Sequence, residues 1–401
     1  MFDIFRSETK RTYLDYAGAT PVSSEANKAL VHALVTFGNP SGIHKEGVEA
    51  GLLLDKARVM CANALNAHAY EVLFVGSGTE SCNVAIFGTV GGKQWAEGSK
   101  IPHVITTMIE HPAVLEPIKK LERESKVRVT YLPVYENGII KMKDIREALC
   151  EDTILVSVMY ANNEVGTIQP VKEIGRTIDE WKREHERSFT AYPYFHIDAC
   201  QAGNYLNLDV LRLKCHLMSI NSSKVYGPKG VAALYKREGI TLDPIVYGGG
   251  QERGLRSGTE SVALAMSFGV ALVESQKMKD SESARLCELR DSFFDEIIKE
   301  IPDITIYGDR KERLPSNINR RVAGIPSDEM ILRLDAQGFA VSHKSACASS
   351  ETDGSYVVQA LGATEQESLE NVRVTLGRET AQQDLKRLVK AIKDIKIKFS
   401  H

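Results

Sequence analysis

Lys224 is the residue around which reactive side chains can be assembled. It follows Ser219-Ile220-Asn221-Ser222-Ser223 and precedes Val225-Tyr226-Gly227-Pro228-Lys229-Gly230. A broken apolar run from Leu211 to Ile220 leads into it, and Val231 to Tyr235 reads as the next strand. A lysine between two strands, flanked by small hydroxyl residues, stands where a sheet opens onto a pocket. Partial loss of water there lowers an ammonium pKa and frees an amine to attack an aldehyde. The same pattern also fits a solvated loop lysine, so the other strand ends decide.

In a parallel sheet the ligand lies beyond the carboxyl ends of the strands. Gly76-Ser77-Gly78-Thr79 precedes a helix and offers N–H groups and a hydroxyl suited to a phosphate. An ordinary strand-to-helix turn looks the same. His111, before Pro112, can lie over a flat ring or move protons near neutral pH, or simply cap a helix. Asn163 can donate to a phenolate oxygen or serve a turn. Asp198 ends the stretch Tyr194-Phe195-His196-Ile197. A buried carboxylate needs a cationic or protonated partner, either an arginine or a protonated pyridine nitrogen. Phosphate donors, a ring-facing histidine, a carboxylate for a ring nitrogen and a lysine for an aldehyde together describe pyridoxal 5'-phosphate.

The elements that must position these residues alternate along the chain. Stretches 71–75, 103–109, 127–134, 153–159 and 194–197 read as strands, separated by helices. Continuous apolar strands alternating with helices predict an α/β fold with a mainly parallel sheet covered on both faces. A long helix from about Ala263 to Glu300 suits a connector. Beyond it, shorter units predict a smaller α+β domain. The expected division is a large domain over 16–262 and a small domain formed by 1–15 and 263–401.

The 401 residues carry a formal charge of -3. That balance gives no reason to expect nucleic acid or an anionic membrane as partner. No apolar run approaches the roughly 18 residues that would suggest a membrane span. The start lacks a basic segment followed by an apolar one, so no signal peptide is expected. Seven cysteines without a Cys-x-x-Cys pair argue for reduced thiols in the cytoplasm and against a disulfide frame or zinc site; no metal is expected.

Taken together the motifs resemble the cysteine desulfurases, of the class V aminotransferase group of fold-type I pyridoxal phosphate enzymes. The resemblance rests on Tyr13-Leu14-Asp15, Gly38-Asn39-Pro40-Ser41, Gly78-Thr79-Glu80-Ser81, Glu110-His111, Asn162-Asn163-Glu164-Val165-Gly166 and Asp198-Ala199-Cys200-Gln201. It continues through Lys224 to Gly230, Gly248 to Arg253, Arg256-Ser257-Gly258-Thr259 and Val372 to Arg378. It implies a large domain with a mainly parallel seven-stranded sheet between helices, a smaller α+β domain, and a homodimer. It implies removal of sulfur from L-cysteine, leaving L-alanine and a persulfide on Cys347 for a sulfur-acceptor or scaffold protein, as in iron-sulfur cluster or thio-cofactor synthesis.

The resemblance also assigns roles. Lys224 holds pyridoxal 5'-phosphate as a Schiff base, Asp198 pairs with the ring nitrogen and His111 stacks on the ring. Asn163 and Gln201 face the phenolate side, Gly78 and Thr79 the phosphate. Asn221 and Ser223 join the cofactor shell, and Thr259 reaches the phosphate of the other subunit. Arg373 clamps the substrate carboxylate, with Asn39 and Asn163 beside the substrate. Cys347 is the nucleophile on a long loop, where His343 and Lys344 can lower its pKa. Lys224 and His111 carry protons.

The chain departs from the pattern where many desulfurases have histidine just before the lysine and serine three residues before it. Here those residues are Ser223 and Asn221. Ala17-Gly18-Ala19-Thr20 also replaces a more common Ala-Thr-Thr. Alternative expectations are a selenocysteine lyase, another class V reaction, or a weakly active homologue acting in sulfur relay.

Overall fold

The structure, a computed structural model, describes residues 11–91, 100–343 and 354–399. The chain opens with β1 (Thr12–Tyr13), α1 (Ser24–Leu34) and α2 (Lys45–Leu65). Then come β2 (Val72–Val75), α3 (Gly78–Val90), β3 (His103–Thr107), α4 (Pro112–Arg123) and β4 (Arg128–Leu132). The alternation continues with α5 (Met142–Ala148), β5 (Thr153–Met159), α6 (Val171–Glu184), β6 (Tyr194–Asp198), α7 (Val210–Leu213), β7 (Leu217–Asn221) and β8 (Ala232–Lys236). Helix α5 is additional to the sequence reading. So is α7, where Asp209 Oδ1 accepts the N–H groups of Leu211 and Arg212 at 3.0 Å and turns the front of the apolar run into a helical turn.

β2 to β8 form one seven-stranded sheet in the order β2-β8-β7-β6-β5-β3-β4, and β8 is antiparallel to both its neighbours. The other pairings, β3 with β4 and β5, β5 with β6, and β6 with β7, are parallel. This is the architecture the β-α alternation predicts. The sheet is covered on both faces because its side chains alternate between two cores. Val72 and Phe74 of β2 point into one, Leu73 and Val75 into the other. Ala233 and Tyr235 of β8 join the first, Ala232 and Leu234 the second.

α8 (Val262–Glu300) runs for 39 residues. Its first part packs Ala265, Phe268 and Leu272 onto the sheet core, and its last part packs Phe293, Phe294 and Ile297 into a separate core. Around that second core lie β9 (Thr305–Ile306), β10 (Asn317–Arg321), α9 (Ser327–Ala336), β11 (Phe339–Ala340), β12 (Asn371–Thr375) and α12 (Gln382–Phe399). Between β11 and β12 come α10 (Tyr356–Ala360) and α11 (Glu365–Ser368). Strands β12, β10 and β9 form an antiparallel sheet, and β1 pairs in parallel with β11. Val357 and Val358 of α10 nevertheless pack into the sheet core, not the second one. Among the described residues no helix is long and apolar enough to cross a membrane.

Candidate active site

Five strand ends of the large sheet open onto one cavity of about 150 Å³. After β2, Ser77 caps α3 by accepting the Glu80 N–H at 3.1 Å. Gly78 and Thr79 then present the first turn of that helix to the cavity. A β-carbon at Gly78 would fall 2.8 Å from Cys200 Sγ, so only glycine lets the backbone approach this closely. After β3, His111 caps α4, and its Nδ1 accepts the Ala113 N–H at 3.0 Å. That commits Nδ1 as an acceptor, so the neutral ring carries its hydrogen on Nε2. Burial lowers the His111 pKa; Asp198 opposes this, and Lys224 and Arg373 add to the fall.

After β5 the chain turns at Asn162, whose Oδ1 accepts the N–H groups of Glu164 (2.8 Å) and Val165 (2.9 Å). This turn puts Asn163 on the cavity wall. After β6, Asp198 is 7% exposed, and its Oδ1 accepts the Cys200 N–H at 3.0 Å. Among the described residues no cation forms an ion pair with it. Gln201 follows on the wall and donates to the Ala17 carbonyl at 3.1 Å. After β7, Asn221 lines the cavity and a single turn, Ser222–Lys224, brings in Lys224. Its Nζ donates to the Ala17 carbonyl at 2.6 Å and to that of Gly18.

One wall residue comes from elsewhere. Arg373, in the middle of β12, is 2% exposed and reaches the cavity from the three-stranded sheet. Its Nη1 donates to the Asn163 carbonyl at 2.9 Å and its Nη2 to Asp15 Oδ1 at 2.8 Å. Glu110, just before His111, is fully buried; its Oε1 accepts the Thr107 hydroxyl (2.7 Å) and the Met159 N–H (3.0 Å). Burial raises its pKa to about 8, against those two hydrogen bonds, with Asp198 adding to the rise.

Of the residues expected from the sequence, Lys224, Asp198, His111, Gly78, Thr79, Asn163, Gln201, Asn221 and Arg373 share this cavity. Ser223 does not line it; its N–H and hydroxyl both turn to Asn221 Oδ1 at 3.3 Å. Asn39 is exposed and caps its own turn through the Ser41 N–H. Thr259 is exposed and outside the cavity of its own chain. Cys347 and Lys344 lie outside the described residues. His343 stands 3.7 Å from Asp328 Oδ1. Sequence reasoning gave no role to Ala17, Gly18, Asp15 or Cys200. Tyr13-Leu14-Asp15 is one of the motifs that carry the resemblance, but nothing local says that its carboxylate meets Arg373.

The chain is similar to known proteins over most of its length. The family described as Aminotransferase class-V matches residues 12–388. A protein named cysteine desulfurase IscS from Dictyoglomus turgidum is 40% identical over 377 residues, covering 94% of this chain and 92% of that one. A solved structure titled NifS-like protein superposes with a TM-score of 0.86 at 29% identity, covering 96% of this chain and 99% of that chain. Another, titled SspA in complex with cysteine, gives a TM-score of 0.77 at 32% identity, over 92% of this chain and 99% of that one. The chain therefore belongs to the class V aminotransferase family, among its cysteine desulfurases.

Proposed function

We propose that the chain takes sulfur from L-cysteine, leaving L-alanine, and passes it as a persulfide on Cys347 to an acceptor protein. The observation that carries this reading is the convergence of Lys224, Asp198, His111 and Arg373 on one cavity. The donor set fits pyridoxal 5'-phosphate. Asp198 is a buried carboxylate without a cationic partner among the described residues, as a protonated ring nitrogen requires. Gly78 and Thr79 open a 13-residue helix toward the cavity, where a phosphate is favoured. Lys224, Asp198, His111, Gly78, Thr79, Asn163, Gln201 and Asn221 would hold the cofactor, with Ser223 behind Asn221 and Thr259 from a second copy of the chain. When bound, that cofactor supplies an electron sink for charge developing on the substrate.

The protein's own groups do the rest. The Nη hydrogens of Arg373 not already engaged receive the substrate carboxylate, a charge-assisted contact that fixes its orientation. Asn163 and Asn39 complete the substrate shell. The Lys224 amine and His111 Nε2 hold and move the proton at the substrate α-carbon. Burial lowers the His111 pKa, and with Nδ1 accepting the Ala113 N–H the neutral ring carries its hydrogen on Nε2, from which it can donate. The Cys347 thiolate attacks the substrate sulfur; the new sulfur–sulfur bond forms as the carbon–sulfur bond breaks, the pair left on the β-carbon takes a proton, and alanine leaves. The free thiols of Cys61, Cys82, Cys150, Cys200, Cys215 and Cys287 support a cytoplasmic setting.

The test is incubation with sulfur-labelled L-cysteine. Wild type should release alanine and hold reductant-labile label on the Cys347 peptide. Cys347→Ser should keep the cofactor absorbance and lose label and sulfide. Alanine production by Cys347→Ser at the wild-type rate would sink the reading.

A further inference from the structure

We infer that Asp15 is a positioning residue that weakens and orients the carboxylate clamp, acting through Arg373. This deepens the reading above and rests on Arg373 being that clamp. The guanidinium is buried, and two of its hydrogens are already committed, to the Asn163 carbonyl and to Asp15 Oδ1. Among the described residues its Nε has no partner, and it is shielded from solvent. A ligand carboxylate therefore meets a cation whose charge is already shared with Asp15, and whose remaining Nη hydrogens are oriented by the other two contacts.

The chain goes to some length to keep Asp15 there. Its backbone bridges to Thr375 of β12, two residues beyond Arg373. The Gly18 N–H returns to the Asp15 carbonyl at 2.9 Å, and the Tyr13 hydroxyl also bonds that carbonyl at 2.9 Å. Any β-carbon at position 18 would overlap the Asp15 carboxylate itself. Gly18 thus leaves room for the carboxylate beside the clamp. An acidic side chain shared with the clamp makes binding of a simple carboxylate weaker than a bare guanidinium would give. It favours ligands that bring further contacts of their own, such as an amino acid engaged through its amine.

Asp15→Asn keeps the shape and the hydrogen-bond acceptor but removes the charge. The expected result is a KM for L-cysteine lowered roughly tenfold with kcat little changed, within what a unit charge exerts over a few ångströms. Propionate, a carboxylate without amine or thiol, provides a readout independent of turnover. Its dissociation constant, from the stabilisation it gives on thermal unfolding, should fall by a similar factor. Gly18→Ala, which displaces the carboxylate without touching its charge, should shift propionate in the same direction. Unchanged or weaker propionate binding in Asp15→Asn overturns the inference, and so does a wild type that turns over cysteine without binding propionate. If wild type makes no alanine from L-cysteine, the functional reading fails, while the propionate titration still decides the role of Asp15.

Discussion

At the scale of single residues, the chemistry depends on keeping a negative charge at Asp198. No described cation forms an ion pair with it, so its carboxylate is available to a ligand. Asp198→Asn should keep the fold, because the Cys200 N–H still finds an oxygen, but should slow alanine formation by on the order of 10² or more, about 3 kcal/mol of barrier. Steady-state rates at saturating L-cysteine check this, and near-normal turnover would make Asp198 a structural residue. Asp198, Lys224 and His111 were legible in the sequence because a reactive type at the end of an apolar strand is a local pattern. The carbonyls that hold Lys224, and the Asp15 carboxylate on Arg373, were not. Those contacts join residues more than 200 positions apart, and only the tertiary fold creates them.

At the scale of elements, the sheet was legible and its support was not. Fully buried β5, Thr153–Met159, announces itself as an unbroken apolar run. The brace beneath β2 does not. Arg58 of α2 pairs bidentately with Glu252, Nη1 to Oε2 at 2.7 Å and Nη2 to Oε1 at 2.8 Å, and Glu252 Oε2 also accepts the Phe74 N–H at 3.0 Å. The two side chains are 8% and 1% exposed. Neutralising one partner leaves the other charge buried, so Glu252→Gln should cost about 3–5 kcal/mol. Urea unfolding followed by circular dichroism measures this, and a loss below about 1 kcal/mol would mean the pair is dispensable. We also propose 262/263 as the domain boundary, supported by the way α8 begins on one core and ends in the other. The packing of α10 into the sheet core means that the chain crosses back over that boundary.

At the scale of the whole molecule, buried titratable groups give stability a pH dependence. Lys182 is 1% exposed, and its Nζ lies 2.8 Å from the Phe189 carbonyl and 3.0 Å from His216 Nε2. Burial lowers its pKa from 10.5 to about 7; Asp179 opposes this, and Arg237 and Arg187 add to it. Between those two values the unfolded chain holds more protons than the folded one, so this residue's contribution to stability rises with pH across that window. Lys182→Met should therefore gain most over wild type near pH 7 and lose that advantage toward pH 10. Unfolding free energies at several pH values test the slope, and a constant difference would show that Lys182 stays charged when folded.

The pairing of β1 with β11, and of Asp15 with Arg373, also sets an order of assembly. During synthesis the walls supplied by Gly78, His111, Asp198 and Lys224 emerge first. Residues 12–15 must wait for β11 and β12, on the order of ten seconds after Lys224 has emerged. Residues 12–15 are thus translated long before the partners they pair with.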